Sequence, residues 1–299
     1  MNDLQKLLFP RANVRGETVS IASELEHALE HQALPLAVRR LAGEAAAAAL
    51  LAAAALRFDG ALQLQIDGDG PVRLLVVEVK PASRFRIMAQ LRSSAREIDD
   101  NATLRELVNA GGRGRCALIL DMRGRTREQA PYQGIVPLEA ETLSAALEEY
   151  FRRSEQIETV IRVAADGLSA GGVMLQKLPE TGGKLPEDYD PEGWSRLKMF
   201  ADTVKSRELL TLEPAEVNRR LFWEESPLVT GEEKPAFVCS CSEERFREIL
   251  RSVGREEAES ILKDEGEITL TCRFCGRSMT FDRLDVEALF AGADGKAEA

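Results

Sequence analysis

The sequence predicts an α+β architecture in three parts. These are an N-terminal domain with a largely antiparallel sheet and packed helices over residues 1–179, a helical linker over 180–230, and a small C-terminal domain over 231–299. Three observations predict it. Short runs of alternating apolar and polar residues meet at Asp-Gly turns, which is the pattern of antiparallel hairpins. After Pro179 the chain turns strongly charged, with apolar residues at helical spacing. Four of the five cysteines fall beyond residue 238. With 299 residues, 44% of them hydrophobic, the chain can bury a sizeable core and divide into domains.

In chain order, residues 15–21 predict a strand and Ser23 the N-cap of a helix running to His31. That helix carries both histidines, in His27-Ala28-Leu29-Glu30-His31, which matches the H-x-x-E-H pattern of inverted zinc peptidases. No third ligand can be placed, so chance within a Glu/Ala/Leu-rich helix is the reading kept. Residues 35–57 form one long helix whose run Ala45 to Leu56 is twelve apolar residues, too short to span a bilayer. Residues 61–66 alternate, Asp67-Gly68-Asp69-Gly70 turns, and 72–79 returns as the clearest hairpin. The turn lacks the other ligands of a cation loop. Residues 84–88 add a strand and 103–108 a short helix or loop. Gly111-Gly112-Arg113-Gly114-Arg115 resembles a phosphate loop only loosely, because no Lys-Ser/Thr helix follows. Residues 116–121 read as a buried strand with Cys116 as a core thiol, and 142–154 as an amphipathic helix with Leu143, Leu147, Tyr150 and Phe151 on one face. Strands at 160–165 and 171–176 close the domain at Leu178-Pro179.

Residues 180–191 are rich in Gly, Pro and acidic side chains, the composition of a linker. Trp194, Leu197, Ala201 and Val204 then make an apolar stripe, and a second helix starting near Pro214 carries Val217, Leu221 and Phe222. Helices this short are not stable alone, so the segment is metastable and must dock on something. It is either ordinary core of a domain or a hinge whose order depends on its neighbours.

Cys239 and Cys241 are followed thirty residues on by Cys272 and Cys275, as C-x-C and C-x-x-C. Two short pairs across such a spacer supply four soft ligands for one tetrahedral Zn2+. If the ion leaves, each pair can oxidise locally, as Cys239–Cys241 and Cys272–Cys275, closing almost no chain. Around the pairs, Ser242 caps a helix with Phe246, Ile249, Leu250 and Val253 as its buried stripe, Ala258, Ile261 and Leu262 mark another, and strands at 267–271 and 278–281 flank the second knuckle. So thin an apolar inventory predicts that metal removal unfolds the domain, because structural zinc contributes roughly 10–16 kcal/mol where domains net about 5–15. Four thiolates on a divalent ion leave a formal charge of about −2, and thiolate is the species that oxidants attack. Arg273 and Arg277 lie beside the knuckle.

Composition excludes other classes. Thirty-nine basic against fifty acidic residues give −11, which argues against a general nucleic-acid binder, and from Gly231 onward sixteen acidic face ten basic residues. A mean hydropathy of −0.21 and 30% charged residues predict a soluble protein without membrane association. The start, Met1-Asn2-Asp3-Leu4-Gln5, has no basic n-region or apolar h-region. A reducing cytosol is therefore expected, where cysteines favour metal or redox chemistry over permanent disulfides.

Cys239-Ser240-Cys241-Ser242 with Glu244-Arg245, and Cys272-Arg273-Phe274-Cys275 with Phe281 and Asp285, resemble the heat-shock protein 33 family of redox-regulated holdase chaperones. The segments from Tyr150 to Gln156 and from Gly171 to Pro179 look like further signatures, so the resemblance covers essentially the whole chain. Met279 stands where that family often has tyrosine. The resemblance implies a non-enzymatic, cytoplasmic chaperone, monomeric and inactive when reduced with one bound zinc. It implies that peroxide with heat, or hypochlorous acid, forms the two local disulfides, unfolds linker and cysteine domain, and favours homodimers. Such a protein holds unfolded clients without ATP and passes them to ATP-dependent chaperones after reduction, with residues 180–230 as a second, thermal switch. The helix with Trp194, Leu197, Ala201 and Val204, and the sheet surface it covers, are the client-binding candidates. The rivals are a constitutive zinc-ribbon module for protein or nucleic acid and a metallohydrolase using His27 and His31.

Overall fold

Backbone pairing begins at the first residues. Asn2–Phe9 (β1) and Val14–Ile21 (β2) form an antiparallel pair in register over all eight residues of each. The structure, a computed structural model, describes residues 1–56, 60–93, 95, 97–122, 132–179 and 187–291. Helices Ser23–Leu29 (α1) and Leu36–Ala55 (α2) follow. Then come Gly60–Asp67 (β3), Val72–Lys80 (β4), Arg84–Leu91 (β5), Leu104–Val108 (α3), Arg115–Met122 (β6) and Tyr132–Pro137 (β7). Leu143–Tyr150 (α4) runs into a π-helical turn, Phe151–Glu155, and Thr159–Ala165 (β8) and Ala170–Lys177 (β9) close the first half. Gly193–Asp202 (α5), Ser206–Thr211 (α6), Pro214–Phe222 (α7), Leu228–Glu233 (β10) and Ala236–Phe237 (β11) complete the first of two compact units, which ends at Val238.

The first unit holds two sheets rather than one, ordered β10-β1-β2-β9-β8 and β11-β5-β4-β3-β6-β7. Every pairing is antiparallel except β11 on β5. The alternation of β3 works as its sequence implies: Leu62, Leu64 and Ile66 are buried while the Gln63 and Gln65 amides lie on the other face, joined at 2.9 Å. Helix α2 packs against strands of both sheets, and fourteen of its twenty residues are buried, so it needs small side chains on nearly every face. Gly43 marks the closest approach, since a Cβ there would stand 2.7 Å from the Ala165 Cβ. The Asp69 carboxylate accepts the backbone N–H groups of Gly111 (3.1 Å) and Arg113 (2.9 Å). The Asp-Gly turn and the glycine-rich loop thus satisfy each other.

The second face of the five-stranded sheet receives the charged segment. Leu197, Ala201, Leu209, Val217 and Phe222 are buried in one cluster with Leu7, Phe9, Val14, Val160, Ala164, Val173 and Leu175 of the sheet, and Trp194, Val204 and Leu221 pack on its rim. The stripes that demanded a partner find it there. Phe222 meets the Phe9 ring edge-on at 5.2 Å. Asn218 accepts the Thr18 hydroxyl at 2.6 Å and donates to Gln5 at 2.9 Å.

Several expectations shift. The unit boundary falls between Val238 and Cys239, not at residue 231, because β10 and β11 pair with the edges of the two sheets. The composition change after Pro179 does not separate cores, because residues of α5–α7 are buried with the five-stranded sheet; residues 180–186 of that stretch lie outside the described residues. Ser23 does not cap α1: Asn2 Oδ1 accepts the N–H groups of Ala22 and Glu24 instead. The helix stops at Leu29, so His31 lies past its end. The long helix ends at Ala55, and residue 57 of the expected span lies outside the described residues. Strands β1, β7, β10 and β11 and helix α6 are additional to the elements read from sequence.

The second unit, from Cys239 on, contains Glu243–Val253 (α8), Arg255–Glu265 (α9), Ile268–Thr271 (β12), Ser278–Phe281 (β13) and Arg283–Ala291 (α10). Ser242 Oγ accepts the Arg245 N–H at 3.2 Å, as a cap should. The apolar cluster holds nine buried residues, among them Phe246, Leu250, Ile268 and Phe281. Ile249 and Val253 are 46% and 42% exposed, so the α8 stripe is narrower than its spacing suggests.

One buried carboxyl in the first unit has a pH consequence. Glu17 on β2 is buried with Oε2 unpartnered, and burial pushes its carboxyl up from 4.5 to about 8 against the pull of Arg15 and Lys6. The folded state therefore holds a proton that the unfolded chain releases. The stability from this proton is full below about pH 4.5 and is lost as pH rises through about 8. The urea midpoint of the first unit is expected to fall between about pH 6 and 8.5, and Glu17→Gln to flatten that fall. An undiminished slope in the variant would remove Glu17 as its cause.

Candidate metal centre

Cys239 and Cys241 lie in the extended stretch ahead of α8, and Cys272 and Cys275 in the turn joining β12 to β13. The turn is tight: the Cys272 N–H donates to the Arg277 carbonyl at 2.8 Å and the Gly276 N–H to the Cys272 carbonyl at 2.9 Å. Gly276 has φ of 69°, a left-handed conformation that favours glycine. The turn aims both of its sulfurs toward the other pair. All four Sγ atoms lie within 4.8 Å of one another, with Cys239 to Cys272 at 3.6 Å and Cys241 to Cys275 at 3.3 Å. Four thiolates about 2.3 Å from a tetrahedral ion sit roughly 3.8 Å apart, so the donor set fits such an ion with little movement.

Among the sulfurs themselves, burial pushes the Cys239 and Cys241 thiols up, and hydrogen bonding to Cys275 adds to it. At Cys275 burial also raises the thiol. The Arg277 backbone N–H and the neighbouring thiols outweigh it and hold Cys275 below the usual range. A divalent cation bound among the four sulfurs would hold all of them as thiolates. Cys241 and Cys272 also pack on the nine-residue apolar cluster, so metal site and core are contiguous.

This quartet is the one group of three or more metal-ligating side chains among the described residues. His27 is exposed, 3.7 Å from Glu30 and stacked edge-on near Phe237 at 5.1 Å. Replacing His27 and His31 together with alanine is expected to leave metal content and redox response unchanged. Metal lost in parallel with the histidines would revive the hydrolase reading. Cys116 is fully buried in β6, and burial, with the Asp67 charge, pushes its thiol up to about 12, so it stays inert.

The client-binding candidates separate into two kinds. Leu197 and Ala201 are fully buried against the sheet, while Trp194 and Val204 are partly covered at its rim. Sequence reasoning missed the polar fastenings of this segment. Arg162 of β8 meets Glu148 of α4 at 2.5 Å and Asp202 at the end of α5. Arg196 joins Asp190 and Glu225 at 2.7 and 2.8 Å. A lone arginine inside Val160-Ile161-Arg162-Val163 was the available signal for the first, but its partner is forty residues on.

A two-sheet α+β body followed by a small four-cysteine metal-binding unit defines a class, and comparison with known proteins identifies it as a family of chaperones. A model of the Hsp33 protein family matches residues 2–282. The 33 kDa chaperonin of Hahella chejuensis is 39% identical over 287 residues, 96% of each chain. That of Shewanella loihica is 37% identical over 290 residues, covering 97% of this chain and 96% of its own. The crystal structure of the Thermotoga maritima heat shock protein 33 homolog superposes with a TM-score of 0.80 over 99% of both chains at 21% identity, a likeness of fold. The chain belongs to the Hsp33 family. No helix among its described residues is long and apolar enough to cross a membrane.

Proposed function

We propose that this protein is a redox-regulated, ATP-independent holdase, non-enzymatic and cytoplasmic, whose resting form is reduced, monomeric and loaded with one zinc ion on Cys239, Cys241, Cys272 and Cys275. The four-sulfur cluster seated on a nine-residue core carries this reading. Zinc, when bound, supplies the positive charge that keeps four neighbouring thiolates together.

Oxidation undoes that arrangement from the chain's side. In each of Cys239–Cys241 and Cys272–Cys275, two thiolates give up two electrons and join in one S–S bond, while one hydrogen peroxide is reduced to two hydroxides. The nearest sulfurs run across the pairs, at 3.6 and 3.3 Å, so proximity alone does not select the local bonds. The proposed switch requires the local bonds, because cross-pair bonds would keep both halves of the unit together and local bonds let them part. α5–α7 are held on the sheet by their own packing and by ties that include Arg162 and Asn218, and in this reading they undock once the second unit has unfolded. Undocking uncovers the Trp194, Leu197, Ala201, Val204 stripe and the sheet face beneath it as a surface for unfolded clients. The same exposure favours homodimers, and reduction returns clients to ATP-dependent chaperones. The acidic balance of the C-terminal residues disfavours nucleic acid as a partner.

The test treats the reduced, zinc-loaded protein with hydrogen peroxide at raised temperature, following zinc release, disulfide connectivity by mass mapping, and aggregation of a heat-unfolded client. All three are expected to change together. Retained zinc, or oxidised protein that suppresses no aggregation, sinks the proposal. Partner binding indifferent to oxidation would favour a constitutive zinc-ribbon module.

A further inference from the structure

One sheet edge is occupied by a strand with little hold of its own. β10 lies antiparallel on β1 through the pairs Leu4 with Glu233, Gln5 with Glu232, Lys6 with Gly231, Leu7 with Val229 and Leu8 with Leu228. The register slips between Lys6 and Leu7, which leaves Thr230 without an opposite residue. Its apolar side chains stay in water, Leu228 54% and Val229 55% exposed. The side-chain ties are polar and peripheral. Gln5 donates to Glu232 at 2.8 Å, Lys6 meets Glu233 at 2.6 Å, and Lys234 reaches Asp3. The Lys234–Asp3 pair is the most exposed of these and weakens with salt, while Glu233, half-buried, also accepts the Ser83 hydroxyl at 2.6 Å and is the firmest side-chain tie of the strand. Ser226, just ahead of the strand, takes a left-handed φ of 47° without being glycine.

β1 is built differently. It pairs with β2 over its full length, and its Leu4 is buried in one core cluster while Leu7 and Phe9 are buried in the other. If β10 lifts, β1 stays in place and presents a row of unpaired N–H and C=O groups, the template onto which an extended chain adds. The strap holding that edge runs from the turn after α7 through β10 and the two-residue β11 to Val238, whose N–H donates to the Phe85 carbonyl at 2.9 Å. The next residue is Cys239, a member of the metal-binding quartet.

We propose that the β1 edge is a binding site for extended segments of unfolded polypeptide, masked in the resting protein by β10 and opened when the strap lifts. The proposal rests on the chaperone reading above and adds the mode of capture. β10 is itself the pattern for the occupant: six extended residues paired along the main chain of β1, with no apolar side chain buried. Main-chain pairing is indifferent to sequence, which suits clients that share no sequence, whereas the apolar sheet face selects for hydrophobic ones. The two surfaces belong to one sheet, so a client can engage both.

Backbone amide exchange of the full-length protein tests this, with a reduced and carboxymethylated polypeptide as the unfolded probe. On oxidation, amides of residues 2–9 that face β10 are expected to exchange at least about tenfold faster, and the probe to restore their protection by a similar factor. In parallel, Glu232→Pro breaks the pair with Gln5 on an exposed strand and spares the cysteines and the apolar stripe. The reduced, zinc-loaded variant is expected to bind the probe at least about tenfold more tightly than the reduced parent. If the oxidised protein holds the probe while residues 2–9 stay unprotected, or β10 keeps its protection throughout, the edge site is wrong and the chaperone reading stands. Oxidised protein that holds no probe ends both.

Discussion

Chelating the metal from the reduced protein is expected to abolish the cooperative fold of residues 239–291 while the first unit keeps its melting transition. The second unit has nine buried apolar residues among its described residues, and Ile249 and Val253, both exposed, add nothing to that core. Two of the four sulfurs pack on the cluster itself, so losing the ion removes the contact that joins the stretch ahead of α8 to the β12–β13 turn. Roughly 10–16 kcal/mol of apparent metal-binding energy exceeds or matches the whole net stability, about 5–15 kcal/mol, of an ordinary domain. Cys272→Ser should act in the same direction, because a hydroxyl is a far poorer ligand than a thiolate. Amide exchange of α8 and α9 reads the result directly. Protection that survives chelation would show that the apolar cluster suffices alone, and the metal could then not serve as the latch.

Leu197→Ala is expected to convert part of the reduced, zinc-loaded population to the client-holding form without any oxidant. Leu197 is fully buried where α5 meets the five-stranded sheet, and its truncation leaves a cavity in the cluster that also holds Val173 and Leu175. Such truncations cost about 2–5 kcal/mol. The loss falls on a segment docked by Ala201, Leu209, Val217 and Phe222 and tied to the sheet by the partly exposed Arg162–Asp202 pair and the Thr18–Asn218–Gln5 chain. Undocking should therefore precede unfolding of the α2-centred core. Aggregation suppression by the reduced variant, with zinc content unchanged, is the reading to take. A variant that loses this much stability and still suppresses nothing would separate docking from activity and remove α5–α7 as the second switch.

The metal quartet was fully legible in the chain because ligand spacing is local chemistry: Cys239 with Cys241 and Cys272 with Cys275 pair by sequence before any fold exists. The β3–β4 hairpin was legible for the same reason, its alternation and its turn being written within twenty residues. The edge strands were not. Leu228-Val229-Thr230-Gly231-Glu232-Glu233 has no alternation of its own, and only β1 makes it a strand. The first strand was overlooked because Leu7 and Leu8 break a simple alternation, a pattern that makes sense once both faces of the sheet are covered. Ile249 was misplaced because helical spacing gives an angular position and not the width of the buried face.

The sequence by itself determined the antiparallel α+β character, the alanine-rich central helix, the four-sulfur centre and the presence of apolar helices in need of a partner. These follow from periodicity, turn chemistry and ligand spacing, all of which act over a few residues. Tertiary structure alone decided that α2 packs against two sheets, that the second face of one sheet covers Leu197 and Ala201, and that β10 and β11 occupy sheet edges up to the residue before Cys239. Those outcomes join positions two hundred residues apart or more, such as Thr18 with Asn218 and Leu4 with Glu233. At that separation the partner is chosen by the complementarity of finished surfaces, and no local pattern carries it.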